Sequence, residues 1–391
     1  MDAVGQVFRE HAARLTAALV RTLGSFELAE ELVQDAFVAA LERWPADGLP
    51  EHPDRWLLTV ARNRGLDRLR RDARHRRALA QLEEPTATDE DARLQLIFTC
   101  CHPALAREAQ VALTLRTVCG LSTAEIASAF LVPEPTIAQR LVRARRKIAL
   151  AGIPYRAPAD DELNARLQEV LSVLYLLFNE GYLTSTAGQP ERRDLVEHAV
   201  WLARLLGQLM PTEPEVLGLR ALLELHHARR ASRFDEHGRL VLLRDQDRRR
   251  WDRAAIEAAI DLLLKAGRMR RPGRYQLEAA IVACHAEASS YADTDWLQIV
   301  LLYDALVRLT GSPVVQLHRA IALRQVRGPA AALAEVDALA PALERYHLFH
   351  ATRAALLRDL GRASEARRAD ERALARTLNP AERMLLEERL A

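Results

Sequence analysis

Apolar residues recur at three- and four-residue intervals along nearly the whole chain, and no stretch alternates convincingly between apolar and polar. The pattern predicts an all-α protein. Its clearest early helix covers about 27–43, with Ala29, Leu32, Val33, Ala36, Phe37, Ala40 and Leu41 on one stripe. Glu31, Gln34, Asp35, Val38 and Glu42 fall on the opposite face. Residues 44–53 hold Pro45, Pro50, Pro53 and Gly48, so a loop is expected there. A second helix is predicted over about 54–79. Leu58, Ala61, Gly65, Leu66, Leu69 and Ala73 line its inner face, and Asn63, Arg64, Asp67, Arg70, Arg71 and Arg74 its outer face.

Residues 81–92 (QLEEPTATDEDA) are acidic and weakly apolar, and read as a linker. Beyond them the spacing predicts a helix-turn-helix. Ser122 with Glu125 three residues on is a capping-box arrangement, and Ile126, Ala127 and Phe130 supply apolar contacts. The turn LVPE follows, and Pro135 suits the start of the next helix. There Ile137, Leu141, Ala144 and Ile148 form the back, while Thr136, Gln139, Arg140, Arg143 and Lys147 share the front, flanked by Arg145 and Arg146.

The expected layout is therefore a helical domain at 1–80, a linker at 81–92 and a helix-turn-helix domain at 93–150. A Pro/Gly-punctuated linker at 151–160 leads to a helical extension at 161–391. Near its end, segments rich in small residues begin at Gly328 and Gly361, 33 residues apart, close to the tetratricopeptide period.

Charge sharpens this reading through its clustering. The net charge is only +2, yet nine arginines fall within 55–77, five basic residues without an acid within 136–147, and five acids without a base within 83–91. A recognition helix needs an apolar back and a polar front that reaches base edges while arginines hold phosphates, and 137–148 has both. On the Arg-rich helix, Asn63 and Asp67 can hydrogen-bond an unstacked base. Trp44 and Trp56 are placed either to stack on a melted strand or to fill the core.

Other residue types exclude chemistry. Cys100, Cys101, Cys119 and Cys284 form no disulfide framework, and adjacent cysteines beside His102 make a poor metal chelate, so buried packing is expected. No nucleophile–base pattern or phosphate-cradling glycine loop is present, and no cofactor is expected. The start, MDAVGQVFREHAARL, lacks the pattern of a signal peptide, and no apolar run spans a membrane, so the expected location is cytoplasmic without a membrane partner. In the extension, Asn179, Glu180, Tyr182, Asp247, Arg248 and Trp251 are either caps and packing groups or one groove for a peptide or small ligand.

The segments AEELVQDAFVAALERW, PDRWLLTVARNRGLDRLRRDARHRR and GLSTAEIASAFLVPEPTIAQRLVRARRKI resemble regions 2 and 4 of extracytoplasmic-function sigma factors, in the same order. FTCCHPAL, LYLLFNEGY, LLRDQDRRRWD and DTDWLQIVLLYDAL resemble a subgroup of that family with a tetratricopeptide-like C-terminal extension.

The resemblance implies a transcription initiation factor whose partners are core RNA polymerase (its β′ clamp helices and β flap) and promoter DNA. Glu31, Gln34, Asp35 and Glu42 would meet the clamp. Asn63, Arg64, Asp67, Arg70, Arg71 and the loop near Trp44 would open and read the −10 element. Thr136, Gln139, Arg140 and Arg143 would read the −35 element, with Arg145, Arg146 and Lys147 on its backbone. The acidic linker would thread toward the RNA exit path, and the extension would meet a regulatory protein or ligand. Pro133 and Pro135 depart from the family's usual turn. The competing reading is a ligand- or peptide-sensing DNA-binding regulator that acts without polymerase. An enzyme fused to a DNA-binding module lacks a catalytic constellation.

Overall fold

The computed structural model describes residues 7, 11–12, 15–20, 23, 25–68, 89–130, 132–153, 158–184 and 191–391. Among these the chain is helical, with one isolated antiparallel bridge, Phe234 to Leu240, in place of any sheet. It forms two compact units, residues 1–176 and 177–391.

In the first unit, α1 (Phe26–Asp47) packs on α2 (Pro53–Arg68). Ser25 caps α1 by accepting from the Leu28 amide. The helix does not stop at Arg43; its last turn passes through Pro45 and ends at Gly48, whose φ is +82°. Burial explains the extra turn. Trp44 is 6% exposed and its ring lies 5.3 Å from that of Trp56, so apolar contact offsets the amide bond that Pro45 cannot make.

Next come α3 (Asp89–Cys100), α4 (Arg107–Thr117), α5 (Thr123–Ala129) and α6 (Glu134–Leu150). The end of the expected linker is thus already helical, since an acidic run that reads as linker also favours a helix N-terminus. Residues 69–88, including Arg70, Arg71 and the rest of that linker, lie outside the described residues, as do 154–157. Helix α7 (Asp160–Tyr182) follows, and its residues up to Leu176 belong to this unit. Arg166 donates to the Phe98 carbonyl at 2.7 Å, and Arg107 pairs with Glu169 at 2.8 Å.

Cys100 and Cys101 are fully buried between these helices. Burial pushes the Cys101 thiol up to about 12, against a 3.5 Å contact with the Thr114 hydroxyl. The His102 Nδ1 accepts from the Ala104 amide at 3.1 Å. These groups pack and turn the chain.

The second unit contains α8 (Arg193–Leu209), α9 (Pro214–Ala228), α10 (Arg253–Arg268), α11 (Arg274–Glu287), α12 (Trp296–Thr310), α13 (Pro313–Ala338), the short α14 (Ala340–Leu343), α15 (His347–Asp359), α16 (Ala363–Leu374) and α17 (Pro380–Leu390). Helix α9 packs against both α10 and α11. Helix α13 is two helices joined at Gly328 (φ +81°), and α15 meets α16 around Gly361 (φ +72°). A left-handed φ costs glycine little, which is why both turns use it. The 33-residue spacing thus marks two helix–glycine–helix units, and Leu317, Ala320, Val336, Phe349, Leu357 and Ala369 share their core. The array also closes on itself: Asn379, at the N-cap of α17, donates to the Thr184 carbonyl at 3.0 Å across 195 residues.

Candidate functional site

Helix α5 begins with the capping box read from sequence. The Glu125 amide donates to Ser122 Oγ at 3.1 Å, and the Ser122 amide to Glu125 Oε2 at 2.7 Å. Ile126 and Ala127 bury one side of α5, and Ile137, Leu141, Ala144 and Ile148 bury the back of α6. That fixes the rotation of α6 and leaves Thr136, Gln139, Arg140, Arg143 and Lys147 along one cleft of about 350 Å³ beside the start of α4. Arg143 donates to Gln139 Oε1 at 3.1 Å, which aligns the two on adjacent turns. Pro133 is the N-cap residue of α6 and Pro135 lies in its first turn, so both prolines set the helix start.

In α1, Gln34 and Glu42 are exposed, while Glu31 and Asp35 are half-buried. Among them Val38 is 47% exposed, and Leu41, expected inside, is 52% exposed. On α2, Asn63 and Asp67 are exposed, and Arg64 approaches Asp35 at 3.8 Å. Trp44, by contrast, sits in the core against Trp56, because its indole is worth more packed between α1 and α2 than on a loop.

Residues 7–75 match the model of sigma-70 region 2, residues 95–148 that of sigma-70 region 4, and residues 166–267 that of a family of unknown function, DUF6596. The chain is 45% identical over 379 residues to uncharacterized protein R00370 of Rhizobium meliloti (strain 1021), covering 93% of this chain and 90% of that one. It is 32% identical over 152 residues to the ECF RNA polymerase sigma factor SigL of Mycobacterium tuberculosis, covering 37% of this chain and 85% of that one. The chain belongs to the extracytoplasmic-function sigma factors. No solved structure matches it at a significant level.

Within this sigma factor, regions 2 and 4 meet through a residue that the helical pattern did not single out. Glu30 is buried, and its Oε1 accepts from Arg116 Nε at 3.1 Å. Its Oε2 lies 2.5 Å from Arg145 Nη2. Arg116 is itself held by the Leu121 carbonyl at 2.8 Å. Arg145 is thus turned to Glu30, away from the cleft shared by its neighbours, while Arg146 is exposed. No local pattern marks such a contact. The only sequence signal was a glutamate at 30 beside an apolar stripe.

Of the six residues of the expected groove, the extension of the sigma factor links Tyr182, Arg248 and Trp251 through Arg229, which donates to the Tyr182 hydroxyl at 3.3 Å and lies 5.8 Å from the Trp251 ring centre. Asn179 is exposed, and half-buried Asp247 caps the next turn and pairs with Arg249. Glu180 is half-buried. Trp251 is 3% exposed and donates to Ser232 Oγ at 2.8 Å. Arg248 lies over its ring and donates to the carbonyls of His285 and Ala288 at 2.5 and 2.6 Å. Tyr182 stacks on Phe178 and receives the Arg233 guanidinium 3.3 Å from its ring centre. Satisfying buried arginines with carbonyls and ring faces uses these groups structurally.

This network fixes a protonation state. Arg229 Nη2 is 2.8 Å from His226 Nδ1, and guanidinium can only donate, so Nδ1 must accept and the imidazole is neutral. Burial, then Arg229, Arg233 and His285, hold the His226 pKa well below its usual value. Burial, then Arg229 and Arg248, hold the His285 pKa down to about 4. In the unfolded chain both titrate near the ordinary 6.5, so below that pH the unfolded state binds more protons. Stability of the extension should therefore fall as pH drops from about 6.5 toward 4. Thermal melts followed by circular dichroism at pH 7.5 and 5 check this; an unchanged melting temperature counts against the neutral network.

Proposed function

We propose that the protein binds core RNA polymerase, reads −10 and −35 promoter elements and promotes melting, with the C-terminal extension acting as a regulator. The observation that carries this reading is α6, whose buried back aims five polar side chains into one cleft. Thr136, Gln139, Arg140 and Arg143 read bases in the major groove, while Lys147 and Arg146 hold phosphates. Asn63, Arg64 and Asp67, continued by Arg70 and Arg71, act on the −10 strand. Melting is driven by binding energy, without covalent chemistry or a cofactor. The acidic linker lies along the RNA exit path, and region 4 meets the β flap. Such a factor works in the cytoplasm. Among the described residues no helix is long and apolar enough to cross a membrane.

The clamp-binding surface is Glu31, Gln34, Asp35 and Glu42 around exposed Val38, an apolar centre with a polar rim that suits an interface. Gln34 and Glu42 make no ion pair among the described residues, so Gln34→Lys with Glu42→Lys leaves the Asp35–Arg64 contact intact. Co-sedimentation of full-length protein with core polymerase tests the reading. The double variant should bind at least tenfold more weakly. Equal binding would remove this face from the interface, and wild-type binding to promoter duplex but never to polymerase would favour the stand-alone regulator.

A further inference from the structure

The extension carries a half-open cavity of about 390 Å³ that the promoter reading leaves unused. Its lining residues all fall within 240–389. Leu242, Leu243, Leu348, Leu385 and Ile321 give it apolar walls. Trp296 completes them, set edge-on to His285 at 5.1 Å and to Tyr291 at 5.0 Å. A space of this size and lining is typical of small-molecule sites.

The polar groups on its wall are few, and their charges do not balance. Arg324 is neutralised by Asp359 at 2.5 Å. Glu382 is held by Thr377 at 2.5 Å and His347 at 3.0 Å. Among the described residues Arg244 pairs with its neighbour Asp245, at 3.3 Å. Arg389 has no carboxylate within ion-pair distance among the described residues. Glu387 and Glu388 turn to Arg383 and Arg239, and Asp370 to Arg358. Burial works against the Arg389 charge; Asp370 partly supports it, while Arg358 and Arg244 oppose it. A half-buried guanidinium with no direct ion pair, its supporting carboxylate already engaged by Arg358, is costly beside apolar walls unless something supplies more negative charge.

We propose that this cavity binds a small amphipathic monocarboxylate, its apolar body against the leucines and Trp296 and its carboxylate on Arg389, with Arg244 beside it. A planar guanidinium fork matches a carboxylate. A cation would meet three arginines. A neutral lipid would leave Arg389 uncompensated, and a highly charged anion would find too few donors on leucine walls.

Isothermal titration of full-length protein below the micellar concentration tests this with three probes: decanoate, 1-decanol and decyltrimethylammonium. Decanoate should bind at least tenfold more tightly than 1-decanol, and the cation should not bind. Arg389→Gln should reduce decanoate to the level of 1-decanol and leave 1-decanol unchanged. Ala355→Trp, which fills the space, should abolish both, with circular dichroism verifying the fold. Failure of decanoate to bind, or equal binding of decanoate and 1-decanol that Arg389→Gln does not alter, would overturn the proposal.

Discussion

Glu30→Ala should open the contact between regions 2 and 4 and let the free protein bind promoter duplex more tightly. Glu30 gives one carboxylate oxygen to Arg116 and the other to Arg145, and all three side chains are mostly buried. Removing one partner of such a buried cluster costs about 3–5 kcal/mol while the rest stays in place. Here the chain has an alternative to unfolding, because separating the regions returns both guanidiniums to water. The loss should therefore appear as opening, and about 3 kcal/mol corresponds to a population shift of about a hundredfold. Under the promoter reading this matters, since elements about 25 base pairs apart lie about 85 Å apart along the duplex. No 2.5 Å contact between the two regions survives that span. Small-angle scattering should show a larger radius for the variant, and fluorescence anisotropy should show tighter duplex binding without polymerase. Identical scattering and identical affinity would mean that the contact restrains nothing.

Glu215→Ala should lower the melting temperature of the extension through a different cause. Helix α11 has no side-chain cap of its own at Gly273; instead Glu215, from the first turn of α9, accepts from the Tyr275 and Gln276 amides at 3.1 Å each. It also accepts from Gln276 Nε2 at 3.2 Å. A carboxylate at a helix N-terminus satisfies orphan amides and complements the helix dipole. Gly273 is what allows this approach, since a Cβ there would lie 2.2 Å from the Glu215 carboxyl carbon. Losing a charged acceptor of three hydrogen bonds should cost about 3 kcal/mol. Glu215→Gln keeps an acceptor oxygen and should cost less than half as much. Chemical denaturation of the two variants checks the order; equal losses would show that only the side chain's bulk matters.

What could be read in the sequence was local. The capping box of α5, the apolar back of α6 and the paired glycines at 328 and 361 are set by neighbours a few residues away, and each sits where the spacing placed it. What could not be read depends on distant partners. Pro45 argues for a break, but the packing of Trp44 on Trp56 carries the helix past it. Arg248 and Trp251 have the composition of a polar groove, yet the carbonyls that bury them come from α11 and its end. Glu30 resembles any helix glutamate until region 4 supplies two arginines.

The bond from Asn379 back to Thr184 changes what kind of repeat array the extension is. An open solenoid stacks neighbour on neighbour, so it can lengthen by duplicating a unit and can fray from either end. Tying the last helix to the first segment removes the free ends. Fraying of α17 must break a buried contact with the opposite end of the chain segment, which makes the array cooperative. A duplicated 33-residue unit would push the two ends out of register, so this architecture can change by substitution far more readily than by growth.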